Sequence, residues 1–376
     1  MKKRKVIFLS LIIGILLLGM VQIHFVTADK KNFNIMRIGK FDDGGRALGV
    51  YISGDIGFIV DGEQGIEIVN VTNKENCTLI SKFNPHAGEP KDVCVNGSYA
   101  FLANGFDGMV TINVTNQRSP SNISHYIEKE IITFPFVQEI EKSNTLDIFI
   151  DGSYGYLADG EFGVKVLNLT DPMNLTKVGE YFDEKGSASG IIVNESYAFV
   201  ADGEDGVEIL DLSDLSNITR IGHHFDGGKA RGLYLSGSYL YVADHDDGLE
   251  ILDVSDLTNP IEIGGFYDDS GLALSVFVSE NRAFVADNVD GLEVYDITDP
   301  TSPIEIGQFY EETGIVGLAS EVYVNDSIIY VAFGTQGLEI LAFGTPRAPI
   351  PILPLSFIGV MVLAIIYWII RGGKSY

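Results

Sequence analysis

Cysteine is nearly absent from this chain: Cys77 and Cys94 are the only two among 376 residues. A disulfide framework is thereby excluded as the source of stability. Tryptophan is rarer still, a single Trp368 inside an apolar stretch near the C-terminus, so any aromatic platform has to come from Tyr or Phe. Basic residues are scarce, 25 Lys plus Arg against 52 Asp plus Glu. Catalytic patterns are missing as well: there is no nucleophile elbow, no His pair at the helical spacing that holds zinc, and no Gly-rich phosphate loop followed by Lys. His24 lies in the apolar N-terminal run, His223 and His224 are neighbours on an outer strand and so point to opposite faces, and His86 and His245 fall in loops. Paired carboxylates are too abundant for any one pair to stand out as acid and base. The expectation is a protein that is not an enzyme.

Charge and hydropathy are distributed unevenly. Lys2, Lys3, Arg4 and Lys5 precede 23 uncharged residues, Val6 to Ala28, ending in small residues before Asp29. Residues 1–28 read as a secretory signal peptide or, the apolar core being long, an uncleaved anchor. A second apolar run, 355–370, is long enough to cross a bilayer as a helix. The short tail 371–376 carries Arg371 and Lys374, and the positive-inside rule puts it in the cytoplasm, with the rest of the chain outside a single-pass cell membrane anchor. The Pro-rich stretch 344–354 is the tether. Setting aside the six basic residues of the two ends leaves 19 against 52, a net of −33. Such a field repels nucleic acid and favours cations or a basic protein surface.

The chain between the ends repeats. Runs resembling Leu249 to Val254 each follow a glycine, at Gly65, Gly108, Gly163, Gly206, Gly248, Gly291 and Gly337, spaced by 43, 55, 43, 42, 43 and 46 residues. A period of about 40–45 residues matches four-stranded propeller blades. In the fifth repeat the strands are expected over 230–235, 239–244, 249–254 and 261–266, called a to d from the axis outward. The marker glycine ends the b–c hairpin, where positive φ suits it. Before the first repeat, residues 34–41 resemble a d strand, and the last repeat stops after its c strand, so the N-terminal strand is expected to close a seven-bladed ring over 33–343. Cys77 then opens an outermost strand and Cys94 sits in an innermost one, about 14 Å away by strand spacing, beyond the reach of about 7 Å that a disulfide has. The long interval comes from an insertion within 127–144, expected as an extra strand or cap, or as a contact loop led by Phe134 and Phe136.

Alternating strand direction sorts the connections. The d–a and b–c loops share one end, which gathers the acid, including Asp61, Asp159, Asp202, Asp205, Asp244, Asp247, Asp287 and Asp290. All ten Asn-X-Ser/Thr sequons, Asn70, Asn76, Asn96, Asn113, Asn122, Asn168, Asn174, Asn194, Asn217 and Asn325, fall at the other end, where they are glycan candidates in an exported chain. Both termini leave from the sequon end, which turns the acidic end away from the membrane. The residue four before each marker is Asp61, Asn104, Asp159, Asp202, Asp244, Asp287 and Phe333. These carboxylates are candidates for a ring that holds Ca²⁺, or for turn residues accepting hydrogen bonds from their own turn amides; no other cofactor is expected.

The runs GVKVLNLTDP, GVEILDLSD, GLEILDVSD and GLEVYDITDP, starting at Gly163, Gly206, Gly248 and Gly291, resemble the LVIVD-repeat family of prokaryotic cell-surface propellers. The first and second copies depart with Asn70 and Asn113 in place of aspartate, and the last closes in Ala342-Phe343-Gly344. The resemblance implies a surface propeller and no catalytic residues. The expected function is that of a membrane-anchored, non-enzymatic interaction or adhesion module working through its acidic end. The alternatives are a cation-dependent propeller hydrolase or lyase with a carboxylate site near the axis, and a structural subunit of a surface lattice.

Overall fold

The computed structural model describes residues 34–85, 88–132, 138–141, 143–267, 271–310 and 318–344. Seven four-stranded antiparallel sheets follow in sequence: β2–β5 (49–83), β6–β9 (92–126), β12–β15 (147–181), β16–β19 (190–224), β20–β23 (232–266), β24–β27 (275–309), and β28–β30 (321–343) joined by β1 (Ile35–Phe41). These are blades one to seven of a propeller. In blade five the strands are β20 (Gly232–Ser236), β21 (Tyr239–Ala243), β22 (Leu249–Asp253) and β23 (Ile261–Phe266). Closure is as the sequence implied: β1 pairs with β30 (Leu338–Phe343) from Ile35↔Phe343 to Phe41↔Leu338. The insertion forms an extra hairpin, β10 (Lys129–Ile132) and β11 (Gln138–Glu141). Phe134, Phe136, His86 and the two terminal apolar runs lie outside the described residues, among which no helix is long and apolar enough to cross a membrane.

Why the central strands read as continuous apolar runs is now plain. Each of the seven hydrophobic clusters is shared by two neighbouring blades, as when Phe199, Val207 and Ile209 of blade four pack on Leu240, Val242 and Leu252 of blade five. A blade has no core of its own, and apolar burial at the junctions, worth roughly 25 cal/mol per Å², carries the stability. Backbone bonds tie the same junctions: the b–c corner of one blade bridges the loop that enters the next, as in Gly203↔Ala230 and His245↔Ala273.

Two glycine positions are set by close approach. Every marker glycine has positive φ, from +71° to +92°. The second position interrupts strand d with a bulge: a Cβ on Gly222 would lie 2.0 Å from the Leu257 carbonyl oxygen of the next blade. Where blade one has Ser81 at this point, its Oγ donates to the Gln117 carbonyl at 2.5 Å, and Ser124 does the same to Pro172 at 2.6 Å. Cys77 and Cys94 are both free.

Candidate functional site

Six of the seven positions four residues before the markers are among the most buried polar sites of the protein: Asp61, Asn104, Asp159, Asp202, Asp244 and Asp287 are all at most 4% exposed, and the seventh is the buried Phe333. They do not form a ring of converging carboxylates. Among the described residues, each group of oxygens within 4.8 Å of one another contains at most one of them. Asp61 does not serve its own turn, starting a 3-10 turn without capping it. Two of them reach instead to the d–a loop 15 residues earlier, Asp61 Oδ1 accepting the Arg46 amide and Asp159 Oδ1 accepting both the Asn144 amide at 2.9 Å and the Thr145 hydroxyl at 2.8 Å. The expected ring of converging carboxylates is therefore not formed, and at Asp61 and Asp159 the amides that find an acceptor are those of the loop entering strand a. Asp205, Asp247 and Asp290, which follow three residues later, sit nearer the surface, where their amides close the turn.

Beside each buried aspartate stands a residue that the sequence reading passed over, the second residue of each LEILDV-like run. Glu67, Glu208, Glu250, Glu293 and Glu339 are at most 6% exposed inside otherwise apolar strands. Lys165 takes this place in blade three and Val110 in blade two. Recurrence at a fixed offset from the marker glycine was the available signal. With a third acid from the d–a loop these residues make blade-junction clusters: Asp43, Asp61 and Glu67; Asp183, Asp202, Asp205 and Glu208; Asp226, Asp244 and Glu250. Burial first, then the neighbouring carboxylates, push Glu67 and Asp202 up to about 8 and Asp244 up to about 7.

The same end carries exposed aromatic side chains. Phe182, Phe225, Tyr267 and Tyr310 each follow the last residue of a d strand and are 54–62% exposed, and Phe106 at a b–c corner is 72% exposed. Asp246 and Asp247, both exposed, lie on this rim. Acid and aromatic surface thus alternate around one face. At the opposite end none of the ten sequon asparagines is buried. Asn70, Asn113 and Asn168 each accept the amide two residues on, as Asp211, Asp253 and Asp296 do in blades four, five and six. These sequons therefore also have a turn-forming role.

A separate acid cluster lies on the innermost strands. Asp92, Asp147 and Glu321 begin the a strands of blades two, three and seven. Glu321 reaches across Gly49, where a Cβ would meet Oε2 at 2.9 Å, and that oxygen accepts the Val50 amide at 2.6 Å. Asp147 accepts the Ile148 amide at 2.7 Å and the Ile191 amide at 2.6 Å. Burial raises Asp92 well above the usual carboxylate range, and it shares a hydrogen bond with Asp147.

Comparisons with known proteins fit this geometry. The family model described as the LVIVD repeat matches residues 44–84, 87–133, 185–224, 227–268 and 270–310, more than half of the chain. Each match begins in a d–a loop and takes in one whole blade to the end of its d strand, and the first two copies are included despite Asn70 and Asn113. Blade three, with Lys165, and blade seven fall outside them, while the second match runs on into the first strand of the insertion hairpin. No curated protein matches. Among solved structures, the computationally designed Ika8 protein superposes with a TM-score of 0.58 at 8% identity, covering 82% of this chain and 99% of its own, a likeness of fold alone.

Proposed function

The chain belongs to the LVIVD-repeat family, and we propose that its propeller is a non-enzymatic interaction module, held at the cell surface by the 355–370 segment, whose acidic end receives a basic protein partner. One observation carries this reading: the exposed aromatics Phe182, Phe225, Tyr267 and Tyr310 share a face with the acid, including Asp246 and Asp247. Aromatic anchors supply contact energy at interfaces, and their faces attract Lys and Arg side chains, which the carboxylates also steer. Sequons confined to the other end leave this face clear of sugar, and that segregation supports an acidic end turned outward.

The test uses the full-length chain against an Arg- and Lys-rich peptide, with binding followed as salt is raised. Binding is expected to weaken with salt and to fall when Phe225→Ala and Tyr267→Ala are combined with Asp246→Asn and Asp247→Asn. An equal loss from neutralising Asp211 and Asp253 at the other end would refute the assignment of the face.

A further inference from the structure

The junction clusters recur from blade to blade, but the cation that neutralises them does not. In blade one, Lys82 Nζ lies 2.5 Å from Asp43 Oδ2 and 2.8 Å from Glu67 Oε1. In blade four, Arg220 bonds Glu208 and its Nη1 lies 3.5 Å from Asp183 and 3.6 Å from Asp205. Arg37 bonds Glu339 in blade seven, with Lys40 Nζ at 3.7 Å. In blade three the strand residue is itself Lys165, 3.5 Å from Asp159. Blade five has none of these. Gly265 stands opposite Glu250 where Lys82 stands opposite Glu67, and Glu262 pairs with Leu252 in the register at which Arg220 pairs with Leu210.

The acid left there is held in place. Asp244 is 2% exposed and its Oδ2 has no hydrogen-bond partner. The Gly228 backbone packs so closely that a Cβ would fall 1.8 Å from that oxygen. One oxygen each from Asp226, Asp244 and Glu250 lies within 4.8 Å of the others, a span that two ligands of one ion at about 2.4 Å can reach. Asp226 is exposed, so water has access from its side. The basic groups nearby are His224, with Nε2 2.7 Å from Glu250 Oε1, and Lys229, whose Nζ is 3.3 Å from the exposed Glu204.

We propose that the junction of blades four and five is a Ca²⁺ site, with Asp226, Asp244 and Glu250 as protein ligands and water filling the remaining positions. Three carboxylates are the donor set of a hard cation. The ion occupies the role that Lys82 and Arg220 play in their blades, and His224 supports Glu250 from the far side. This site stands independently of whether the acidic end binds a protein, and metal binding is read separately from peptide binding.

Full-length chain freed of metal by a chelator is titrated with CaCl₂ by calorimetry, with MgCl₂ and ZnCl₂ in parallel. One Ca²⁺ per chain is expected at this junction. Asp244→Asn is expected to weaken it more than about tenfold, the least that loss of even an outer partner costs at metal sites. Glu262→Arg, which supplies the guanidinium blade four already has, is expected to abolish it. Asp211→Asn at the opposite end should bind like the wild type, and only chains with an intact site should gain thermal stability from Ca²⁺. Absence of binding at millimolar Ca²⁺, unchanged affinity in Asp244→Asn and Glu262→Arg, or preferential Zn²⁺ binding that depends on His224 would each overturn the proposal. Glu262 is exposed on an outer strand, so its variant decides the matter even if Asp244→Asn fails to fold.

Discussion

Replacing Glu321 by Gln should change how the stability of the propeller depends on pH. Burial, with the Asp147 charge adding to it, pushes the Glu321 carboxyl from its ordinary 4.5 up to about 8. Between those values the folded chain holds a proton that the unfolded chain releases. Stability therefore falls as pH rises through this window: the contribution is intact below about pH 4.5 and is lost as pH passes about 8. Each pH unit is worth about 1.4 kcal/mol, so roughly 3 kcal/mol has gone by pH 7. Gln has the shape of the protonated acid and keeps an acceptor for the Val50 amide. The variant should match the wild type at pH 4.5–5 and exceed it by about 2–5 kcal/mol at pH 8.5. Urea unfolding of both chains across pH 5–9, followed by far-UV circular dichroism, measures the difference. Because Asp92 and Asp147 titrate together with Glu321, the slope is a property of the trio. A difference between the two chains that stays constant over this range would refute the reasoning.

Gly206→Ala and Gly237→Ala separate two costs. Both positions have positive φ, +81° and +61°, but a Cβ at 206 would meet the His224 carbonyl oxygen at 2.3 Å while one at 237 meets nothing within 4 Å; Gly237→Ala should cost about 1–2 kcal/mol and Gly206→Ala clearly more in the same urea assay. Removing residues 34–41 strips β30 of its outer partner and leaves it an open edge, and the shortened chain should melt lower and self-associate by size-exclusion chromatography. Burial pushes the Cys94 thiol up to about 12, so under native conditions at pH 8 it should react with a thiol reagent much more slowly than after denaturation. Calorimetry of Asp244→Asn and Glu262→Arg decides the Ca²⁺ site, and salt-dependent peptide binding decides the partner face.

Much of the architecture was legible because repetition amplifies weak local signals. Seven glycines at an even period gave the blades, and a lone d-like strand before the first repeat gave the closure. The candidate aspartates were legible as positions but not as contacts. Which amides Asp61 and Asp159 satisfy depends on a loop 15 residues away that only the blade brings near. Glu250 was hidden for another reason, since an acid inside LEILDV sits in a run whose other members are apolar, and its burial comes from a neighbouring blade. The exposed Phe225 and Tyr267 stand one residue past strand d, where nothing in the apolar pattern sets them apart from the strand's own aromatics. Sequence placed Asp244 among the acid of the loop end and 249–254 as a strand, yet Asp244 is buried and the strand contributes Glu250 to the same cluster. Turn and strand jointly make the site.

The pairing of β1 with β30 also sets an order in time. Ile35 leaves the ribosome 308 residues before its partner Phe343; at about 5–20 residues per second that is a wait of roughly 15–60 s. During that interval six blades can stack while the first strand made has no ladder to join. The first blade meanwhile shows an open face to whatever else is present. A nascent chain of this design is complete in six of its seven sheets and still unclosed, so its vulnerable period ends with the last strand made.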